Sequence, residues 1–369
     1  GKTEAPQTQS KEHIIIIGGG VAGLTAAMEL QEKGHHKISI VERSDRPGGK
    51  VRSVEVDGKF YELGQIYFGS NYKTGYKLID KLGLTVTPDP NPTLQFSLGQ
   101  NKGVEVNVEY FGQWVAAALE AAGLSLGSNL NAQNCPPELF VPFSHWIEDK
   151  QVGDIPMKLY ELWTSYGYGY LTDDMPAYYV LRYLILVFGM ESFGRIEEGN
   201  AELWARAAVY LESKGVPFTT GFEVQQVIRS ESGVRVESVD GRVLTGDRVI
   251  FACPPKAVLK IIEPTTTERE ILERFKTYEY RVTVTRAKNM PDASALIIQE
   301  NQHRETQGNL LGYFKFNSDS DVFITSQYGT LPNDPNPFDA ALLNQKLKED
   351  FANLGGELLE VVEEFTWSY

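Results

Sequence analysis

The amino-acid sequence predicts an α/β fold built on a parallel sheet, and three observations near its start support this. Residues 14–17 are four isoleucines in a row, which is typical of a buried central strand. A glycine-rich turn follows at once, and residues 21–33 then indicate a helix that ends near Gly34. A second apolar run, residues 38–41, follows this helix and ends in Glu42. Strand, turn, helix, strand and acid in this order are typical of a dinucleotide-binding unit.

The turn carries the glycine spacing of a dinucleotide fingerprint, at Gly18, Gly20 and Gly23. The three glycines allow a tight turn, close approach of a pyrophosphate to the backbone, and close packing of helix on strand. The phosphates would lie at the helix N-terminus, where free N–H groups and the helix dipole favour negative charge. Glu42 stands where an acid binds ribose hydroxyls, and it would repel a 2′-phosphate. We therefore expect FAD or NAD rather than NADP.

The residues after Glu42 favour FAD over NAD. Residues 42–50 read Glu-Arg-Ser-Asp-Arg-Pro-Gly-Gly-Lys, which places Arg43, Gly49 and Lys50 directly after the ribose acid. Arginine offers a fixed fork of donors to phosphate oxygens, and glycine lets the backbone come close. We interpret this run as a chain that doubles back across a diphosphate. The alternative is a solvated basic loop.

This run resembles the flavin amine oxidase superfamily, in which an acid-Arg stretch ending in Gly-Gly-(Arg/Lys) wraps the FAD. A second block of that family, a strand ending in acid-x-Gly near the flavin ring, is similar to residues 61–65. Here Glu62 stands where Asp is commoner, and Gly64 is the glycine. The resemblance implies that FAD is the cofactor and that Gly64 belongs to its site.

Two later blocks extend the resemblance along the chain. Residues 199–204 resemble the family's Gly-Gly entry into a helix, with Asn200 in place of the second glycine. Val224 falls in the strand whose backbone pairs with adenine in the family, and residues 248–255 resemble the strand that closes the FAD-domain sheet. The blocks occur in the family's order over nearly the whole chain.

A closer resemblance, to the polyenoic fatty acid double-bond isomerase branch, covers residues 166–170, 175–184 and 363–369. Such isomerases use FAD to move a hydride out of a polyunsaturated chain and back at another carbon. The resemblance implies an FAD-dependent oxidoreductase or redox-neutral isomerase whose partner is a small apolar, unsaturated substrate. Two alternatives stay open: a flavin-dependent amine or amino-acid oxidase that releases peroxide, and a non-catalytic or truncated flavin-binding relative.

The resemblance also singles out two candidate catalytic residues. Amine oxidases of the family carry a lysine on a substrate-domain strand, and that place falls on Arg281, which cannot act as an easily titrated base. The isomerase branch holds the fatty carboxylate with an arginine, but the corresponding residues 92–96 contain no basic residue. We therefore expect Arg281 to hold the carboxylate, with Arg182 as a second candidate and a solvent-facing or ion-paired strand residue as the alternative interpretation of Arg281. Phe193 matches an aromatic residue near the substrate channel, and the alternative is ordinary core.

The predicted architecture is a Rossmann-type (GR2-like) FAD-binding domain interleaved with an α+β substrate-binding domain. The expected divisions are a disordered leader at 1–11, FAD-binding pieces at 12–68 and 197–262, and substrate-domain pieces at 69–196 (mainly helical) and 263–369. This sequence stops at Tyr369, just before the place where the family's C-terminal FAD segment would begin. We therefore expect a truncated gene product or a fragment. A set of aromatic residues either lines an apolar tunnel or, as we expect for most, packs in the core: Tyr160, Trp163, Tyr166, Tyr168, Tyr170, Tyr178, Tyr179 and Tyr183.

Composition argues against several other classes of protein. The net charge of −14 opposes nucleic-acid binding, and 42% hydrophobic residues indicate a globular chain. No apolar run reaches the roughly 18–20 residues of a membrane-spanning helix, so we expect no integral membrane segment and a cytoplasmic location. Two cysteines and five histidines provide neither a disulfide framework nor metal-ligand spacing. The oligomeric state is left open.

Overall fold

In a computed structural model, the chain divides into two compact units, each assembled from separate stretches of sequence. The structure describes residues 11–89, 107–171 and 175–368, together with the backbone of two strands at 94–98 and 102–104. The first unit contains the chain up to Ile66, Thr74–Thr87 and Arg195–Lys276; the second contains Tyr67–Lys73, Pro88–Gly194 and Thr277–Tyr369. The predicted leader, apart from Lys11, and the side chains of residues 92–96 lie outside the described residues.

The bounds of the elements are as follows. The strands are β1 (Ile14–Ile17), β2 (Ile38–Val41), β3 (Ser53–Val56), β4 (Lys59–Glu62), β5 (Phe68–Gly69), β6 (Val86–Pro88), β7 (Leu94–Leu98), β8 (Lys102–Val104), β9 (Phe193–Ile196), β10 (Phe218–Thr219), β11 (Val224–Ser230), β12 (Gly233–Ser238), β13 (Val243–Gly246), β14 (Arg248–Phe251), β15 (Glu279–Lys288), β16 (Ala295–Ile298), β17 (Gly312–Phe314), β18 (Val322–Tyr328) and β19 (Glu357–Ser368). The α-helices are α1 (Val21–Glu32), α2 (Lys73–Lys81), α3 (Val108–Ala121), α4 (Phe143–Lys150), α5 (Met157–Trp163), α6 (Ala177–Phe188), α7 (Ala201–Ser213), α8 (Pro255–Leu259), α9 (Thr266–Leu272) and α10 (Ala340–Asn353). Short 3-10 helices cover Pro137–Phe140, Gln299–Asn301 and Arg304–Thr306.

The first unit is organised by a parallel sheet with the strand order β10-β2-β1-β14. Strand β1 lies inside this sheet, with Ile14 opposite Ile38 of β2 on one side and Arg248 of β14 on the other. Because β1 is covered on both faces, all four isoleucines are buried, as the uninterrupted apolar run predicts. The antiparallel strands β11, β12 and β13 form a second sheet, and β3 and β4 form a hairpin.

The second unit contains a larger, mostly antiparallel sheet with the order β19-β15-β18-β17-β16-β7-β8. On β15, the second strand from one edge of this sheet, Arg281 lies opposite Gln327 of β18 and Thr366 of β19. Helix α10 contributes Leu347 and Phe351 to the apolar core on one side of this sheet. The helices α3 to α6 bury a separate cluster rich in aromatic residues.

The sequence predicts the first unit's elements closely, and the observed units differ from the expected domain divisions by two residues at 67–68 and at 195–196 and in two longer stretches. Residues 263–276, expected in the substrate domain, belong to the first unit, because α9 follows directly on α8 and packs beside it. Residues 74–87, expected in the same domain, also belong to the first unit, where Arg206 of α7 donates to the backbone carbonyls of Leu82 and Gly83 at 3.1 and 3.2 Å.

The described residues bear on the expected absence of a membrane-spanning helix and of a disulfide framework. Within them, no helix combines the length and the apolar character that crossing a membrane requires. Both cysteines are free thiols; Cys135 is buried and Cys253 is half-buried.

The contact between α1 and β1 gives a test of the predicted helix-on-strand packing. A Cβ atom on Gly23 would lie 1.9 Å from the Gly18 carbonyl oxygen, which is backbone and cannot rotate away. We expect Gly23→Ala to lower the free energy of unfolding by about 2 kcal/mol or more. Gly112→Ala, also within a helix, meets no atom within 4 Å and should stabilise the protein by about 0.5–1 kcal/mol. Urea unfolding of both variants checks this, and equal effects would contradict it.

Candidate functional site

The glycine-rich turn leaves a bare backbone surface at the N-terminus of α1. Gly18 has a φ of +114°, which L side chains rarely adopt, and a Cβ there would lie 2.4 Å from the Ala252 carbonyl oxygen. Gly20 is the N-cap residue of α1 and, being glycine, has no side chain with which to cap the helix. The first N–H groups of the helix are therefore available to an anion.

The loop after Glu42 folds back over this turn, as the sequence predicts. The Gly48 N–H donates to the Gly19 carbonyl oxygen at 3.0 Å, and Gly20 and Gly48 form an isolated parallel bridge. A Cβ on Gly49 would lie 3.0 Å from the Gly20 Cα. Side chains at Gly20 and Gly49 would fill the space between the two backbones, so both glycines keep a cradle open there.

Glu42 lies at the end of β2, beside the glycine-rich turn. Its two carboxylate oxygens accept hydrogen bonds from the Gly19 N–H at 2.6 Å and the Ser44 N–H at 2.9 Å. A carboxylate has about four acceptor positions, so acceptor capacity remains for ribose hydroxyls. The position and chemistry of Glu42 fit the predicted ribose contact.

Val224 is brought close to Glu42 by the segment before β11. The Phe222 N–H donates to the Glu42 carbonyl oxygen at 2.9 Å, and the Gly221 N–H donates to the Ser44 carbonyl oxygen at 2.8 Å. The register between β11 and β12 shifts directly after Val224. Val224 is itself in register with Ser238, and the irregularity leaves the next residue, Gln225, without a partner in this ladder.

The basic residues of the loop have different roles in the structure. Arg43 is exposed. The guanidinium of Arg46 shapes the loop, since it donates to the carbonyl oxygens of Gly49 at 2.7 Å and Val51 at 3.0 Å. Lys50 is exposed as a whole residue, but partial burial of its ammonium group lowers its pKa below the ordinary value. Arg46 was not among the predicted contacts, because sequence spacing alone does not separate a loop-shaping arginine from a phosphate-binding one.

The next predicted block joins this loop to α7 through a buried polar network. A Cβ on Gly64 would lie 1.6 Å from the Lys50 carbonyl oxygen, so this glycine is required for the close approach of the two segments. The carboxylate of Glu62 accepts from the Ser53 hydroxyl at 2.7 Å and from the Asn200 N–H at 3.0 Å. The Ser53 hydroxyl in turn accepts from the Ala201 N–H at 3.0 Å. Burial raises the pKa of Glu62 to about 7, against smaller opposing effects of these hydrogen bonds and of Arg195.

Taken together, these residues fit a bound FAD. The bare backbone of Gly18, Gly20 and Gly49 suits a diphosphate, and Glu42 suits the adenosine ribose. Val224 stands two residues after Phe222, whose N–H donates to the Glu42 carbonyl oxygen. All of them belong to the first unit.

Arg281 is buried in the second unit, with only 1% of the residue exposed. Its guanidinium donates to Gln327 at 2.8 Å, to Asn344 of α10 at 2.5 Å and to Glu364 at 2.7 Å. The neighbouring residue on β15, Tyr280, points to the other face and donates its hydroxyl to the Ser165 carbonyl oxygen. These contacts favour the ion-paired strand interpretation of Arg281 over the expected contact with a substrate carboxylate.

Phe193 is not a core residue, because 42% of it is exposed. Its ring lies 5.9 Å from the ring of Tyr67, measured between centroids. Of the aromatic residues predicted to lie in a tunnel or core, four are buried and one is exposed: Tyr160, Trp163, Tyr170 and Tyr178 are buried, and Tyr179 is exposed. The remaining three are half-buried, and Tyr166 lies nearly parallel to Phe314, with centroids 5.7 Å apart.

Comparison with protein families shows which family the chain belongs to. A family model described as flavin-containing amine oxidoreductase matches residues 21–285, which include every predicted FAD contact after the first two glycines. The chain belongs to the flavin-containing amine oxidoreductase family. The FAD cofactor and the oxidoreductase class expected from the sequence are thereby confirmed at the level of the family.

Two relatives are similar to most of the chain. It is 24% identical over 304 residues to an L-amino-acid oxidase of Siganus canaliculatus, and 25% identical over 308 residues to the beta-cyclopiazonate dehydrogenase of Aspergillus oryzae. These matches cover 74% and 78% of the chain, and 56% and 65% of the two relatives. The chain therefore spans less than two thirds of the length of these relatives.

Solved structures confirm the predicted fold. The structure of a CLA-producing fatty acid isomerase from P. acnes matches with a TM-score of 0.85 at 23% identity, covering 98% of the chain and 87% of that protein. A putrescine oxidase bound to putrescine matches with a TM-score of 0.67 at 15% identity, covering 97% and 85%. At these identities the likeness concerns the fold.

The pKa of Glu62 predicts how the stability of this family member depends on pH. Because the folded protein holds the Glu62 proton more tightly than the unfolded chain does, this residue makes the unfolding free energy fall as pH rises from about 4.5 to about 7. The fall amounts to roughly 3 kcal/mol. We expect Glu62→Gln to remove this fall. Between pH 5 and pH 8, the unfolding free energy of the variant, measured with urea, should therefore rise relative to that of the wild type. Glu55→Gln, an exposed change in the same hairpin, is the control, and parallel wild-type and Glu62→Gln curves would contradict the assignment.

The contacts of Arg281 predict a loss of stability on its removal. Arg281→Met removes the guanidinium that donates to the side-chain oxygens of Gln327 and Asn344. It also removes the cation that pairs with Glu364, whose side chain is 37% exposed. We expect the free energy of unfolding to fall by about 3 kcal/mol. Arg182→Met, at an exposed position of α6, should change it by less than about 0.5 kcal/mol. A fully stable Arg281→Met variant that loses only carboxylate binding would restore the substrate-contact interpretation.

Proposed function

We propose that this chain supports hydride transfer between FAD and an apolar, unsaturated, fatty-acid-like substrate, in a redox-neutral isomerisation. The observation that carries the FAD part of the proposal is the loop of residues 42–50 folded over the glycine-rich turn, with Gly49 facing Gly20 across an open cradle. When bound, FAD supplies the acceptor and donor of the hydride, so the protein has mainly to hold a substrate carbon in a dry site.

The substrate class is supported by the likeness of the backbone to the fatty acid isomerase, whose TM-score of 0.85 exceeds the 0.67 of the putrescine oxidase. The second unit is also rich in aromatic surfaces that suit an apolar chain. The parallel rings of Tyr166 and Phe314 and the pair of Tyr67 and Phe193 are among them.

Three buried side chains of the second unit are not suited to acid–base chemistry on an amine. At the place where amine oxidases of the family carry a lysine, Arg281 is engaged with Glu364 and two amide oxygens. The hydroxyls of Tyr280 and Tyr328 donate to backbone carbonyl oxygens, and burial raises both of their pKa values. These phenols therefore stay protonated at working pH.

An amine or amino-acid oxidase is the second candidate function. It is favoured by the match to an L-amino-acid oxidase over 74% of the chain. Oxidases of this kind pass the electrons on to oxygen and release peroxide, whereas an isomerase returns the hydride to its substrate. Consumption of oxygen therefore separates the two candidates.

The proposal predicts three measurable results. The protein should bind FAD in an absorbance titration, convert linoleate to a conjugated diene without oxygen, and release no peroxide from amines or amino acids. Peroxide release on amines or amino acids would instead support the oxidase. Binding of FAD with neither activity, or no binding of FAD, would overturn the proposed reaction in favour of a non-catalytic relative.

A further inference from the structure

We propose that Asn200 is a positioning residue for FAD. Its side-chain amide holds residues 65 and 66, and this segment supports the backbone at Gly49 and Lys50 that forms one wall of the diphosphate cradle. The inference rests on the proposed function, because it concerns how this chain holds the same cofactor. It also assigns a role to the residue at which the chain departs from the family's Gly-Gly pattern.

The amide of Asn200 is fully used inside the protein. Asn200 is 0% exposed, and its Oδ1 accepts from the Ile196 N–H at 3.0 Å. Its Nδ2 donates to the carbonyl oxygens of Gln65 at 3.2 Å and Ile66 at 2.8 Å. A glycine at this place would offer none of these three bonds.

The segment held by Asn200 in turn sets the loop over the glycine-rich turn. The Gln65 N–H donates to the Lys50 carbonyl oxygen at 3.2 Å, and Gly64 approaches the same oxygen too closely for any side chain. Lys50 directly follows Gly49, which faces Gly20 across the cradle. A shift of residues 64–66 is therefore transmitted to the backbone that would contact the diphosphate.

The conformation of Asn200 explains why a side chain is tolerated there. Its φ of −63° and ψ of −27° are ordinary helical values. Gly199, by contrast, has a φ of +91°, and a Cβ there would lie 2.8 Å from the Ser53 Cβ. Only the first residue of this Gly-Asn pair has to be glycine, so the second is free to carry the amide.

Replacement of the amide donor by an acid tests the brace directly. Asn200→Asp keeps the oxygen that accepts from Ile196 but places a carboxylate oxygen against the carbonyls of Gln65 and Ile66. Protonation of this acid at low pH supplies one O–H donor in place of the two N–H donors of the amide, and it removes the negative charge from beside the carbonyls. Glu62 is the titratable group that accepts a hydrogen bond from the Asn200 N–H, and the charge of Arg195 lowers the pKa of Glu62. To remove this titration, Asn200→Asp and its Asn200 parent both carry Glu62→Gln.

We expect FAD to bind the Asn200→Asp protein at least about tenfold more weakly than its Asn200 parent at pH 8, and nearly as tightly at pH 5. Asn200→Gly should bind weakly at both pH values. The measurement is the dissociation constant for FAD, determined by fluorescence at both pH values. Leu211→Ala, a buried change near the other end of α7, is the control for lost stability, and its FAD affinity per folded molecule should stay unchanged.

Two results would overturn the brace: the FAD affinity of the Asn200 parent in both Asn200 variants, or an equal loss at pH 5 and pH 8 in Asn200→Asp. If the wild-type protein does not bind FAD at all, the proposed function fails, and the brace is tested without cofactor. Trypsin should then cleave after Arg43, Lys50 or Arg52 faster in Asn200→Gly than in Leu211→Ala. Equal cleavage rates would overturn the brace in that case too.

Discussion

The first unit depends on how closely backbone segments approach one another around its glycine-rich turn. The missing Cβ atoms of Gly18, Gly23 and Gly64 would each lie within 2.4 Å of a backbone carbonyl oxygen. No change of side-chain rotamer relieves such a contact. The close spacing of α1, β1, β14 and the loop over the turn is therefore possible only because these residues have no Cβ atom. A diphosphate is bound mainly by backbone N–H groups, and this spacing decides where those groups point.

Buried polar groups fix the arrangement of segments that are far apart in sequence. In the second unit, Arg281 links β15 to Glu364 on β19 and to Asn344 on α10. Asp350 of α10 accepts from the Leu310 N–H at 2.7 Å in the same unit. Because a charge left unpaired in a core is costly, each such group disfavours alternative registers in which its partners are absent. The benefit is a single arrangement of strands and helix rather than a large gain in stability.

The parts of the fold that local sequence encodes were predictable, and the parts set by distant contacts were not. The glycine spacing and apolar runs predict a helix at 21–33, and the structure has α1 at Val21–Glu32. The side-chain environment of Arg281 was not predictable, because both faces of β15 are buried and alternation cannot tell them apart. Phe193 was left open between the substrate channel and ordinary core for a related reason: a strand as short as Phe193–Ile196 shows no pattern from which burial can be read.

The two departures from the family pattern in the first unit are best understood as one change. Glu62 stands where Asp is commoner and Asn200 stands where glycine is usual, and the Asn200 N–H donates to the Glu62 carboxylate at 3.0 Å. The longer acid also reaches the Ser53 hydroxyl, which accepts from the first N–H of α7. One residue thus holds the beginning of the 62–66 segment and the other holds its end. Since Gly64 lies between them, both departures act on the same backbone wall of the cradle, whereas the arginine at position 281 belongs to a separate network in the second unit.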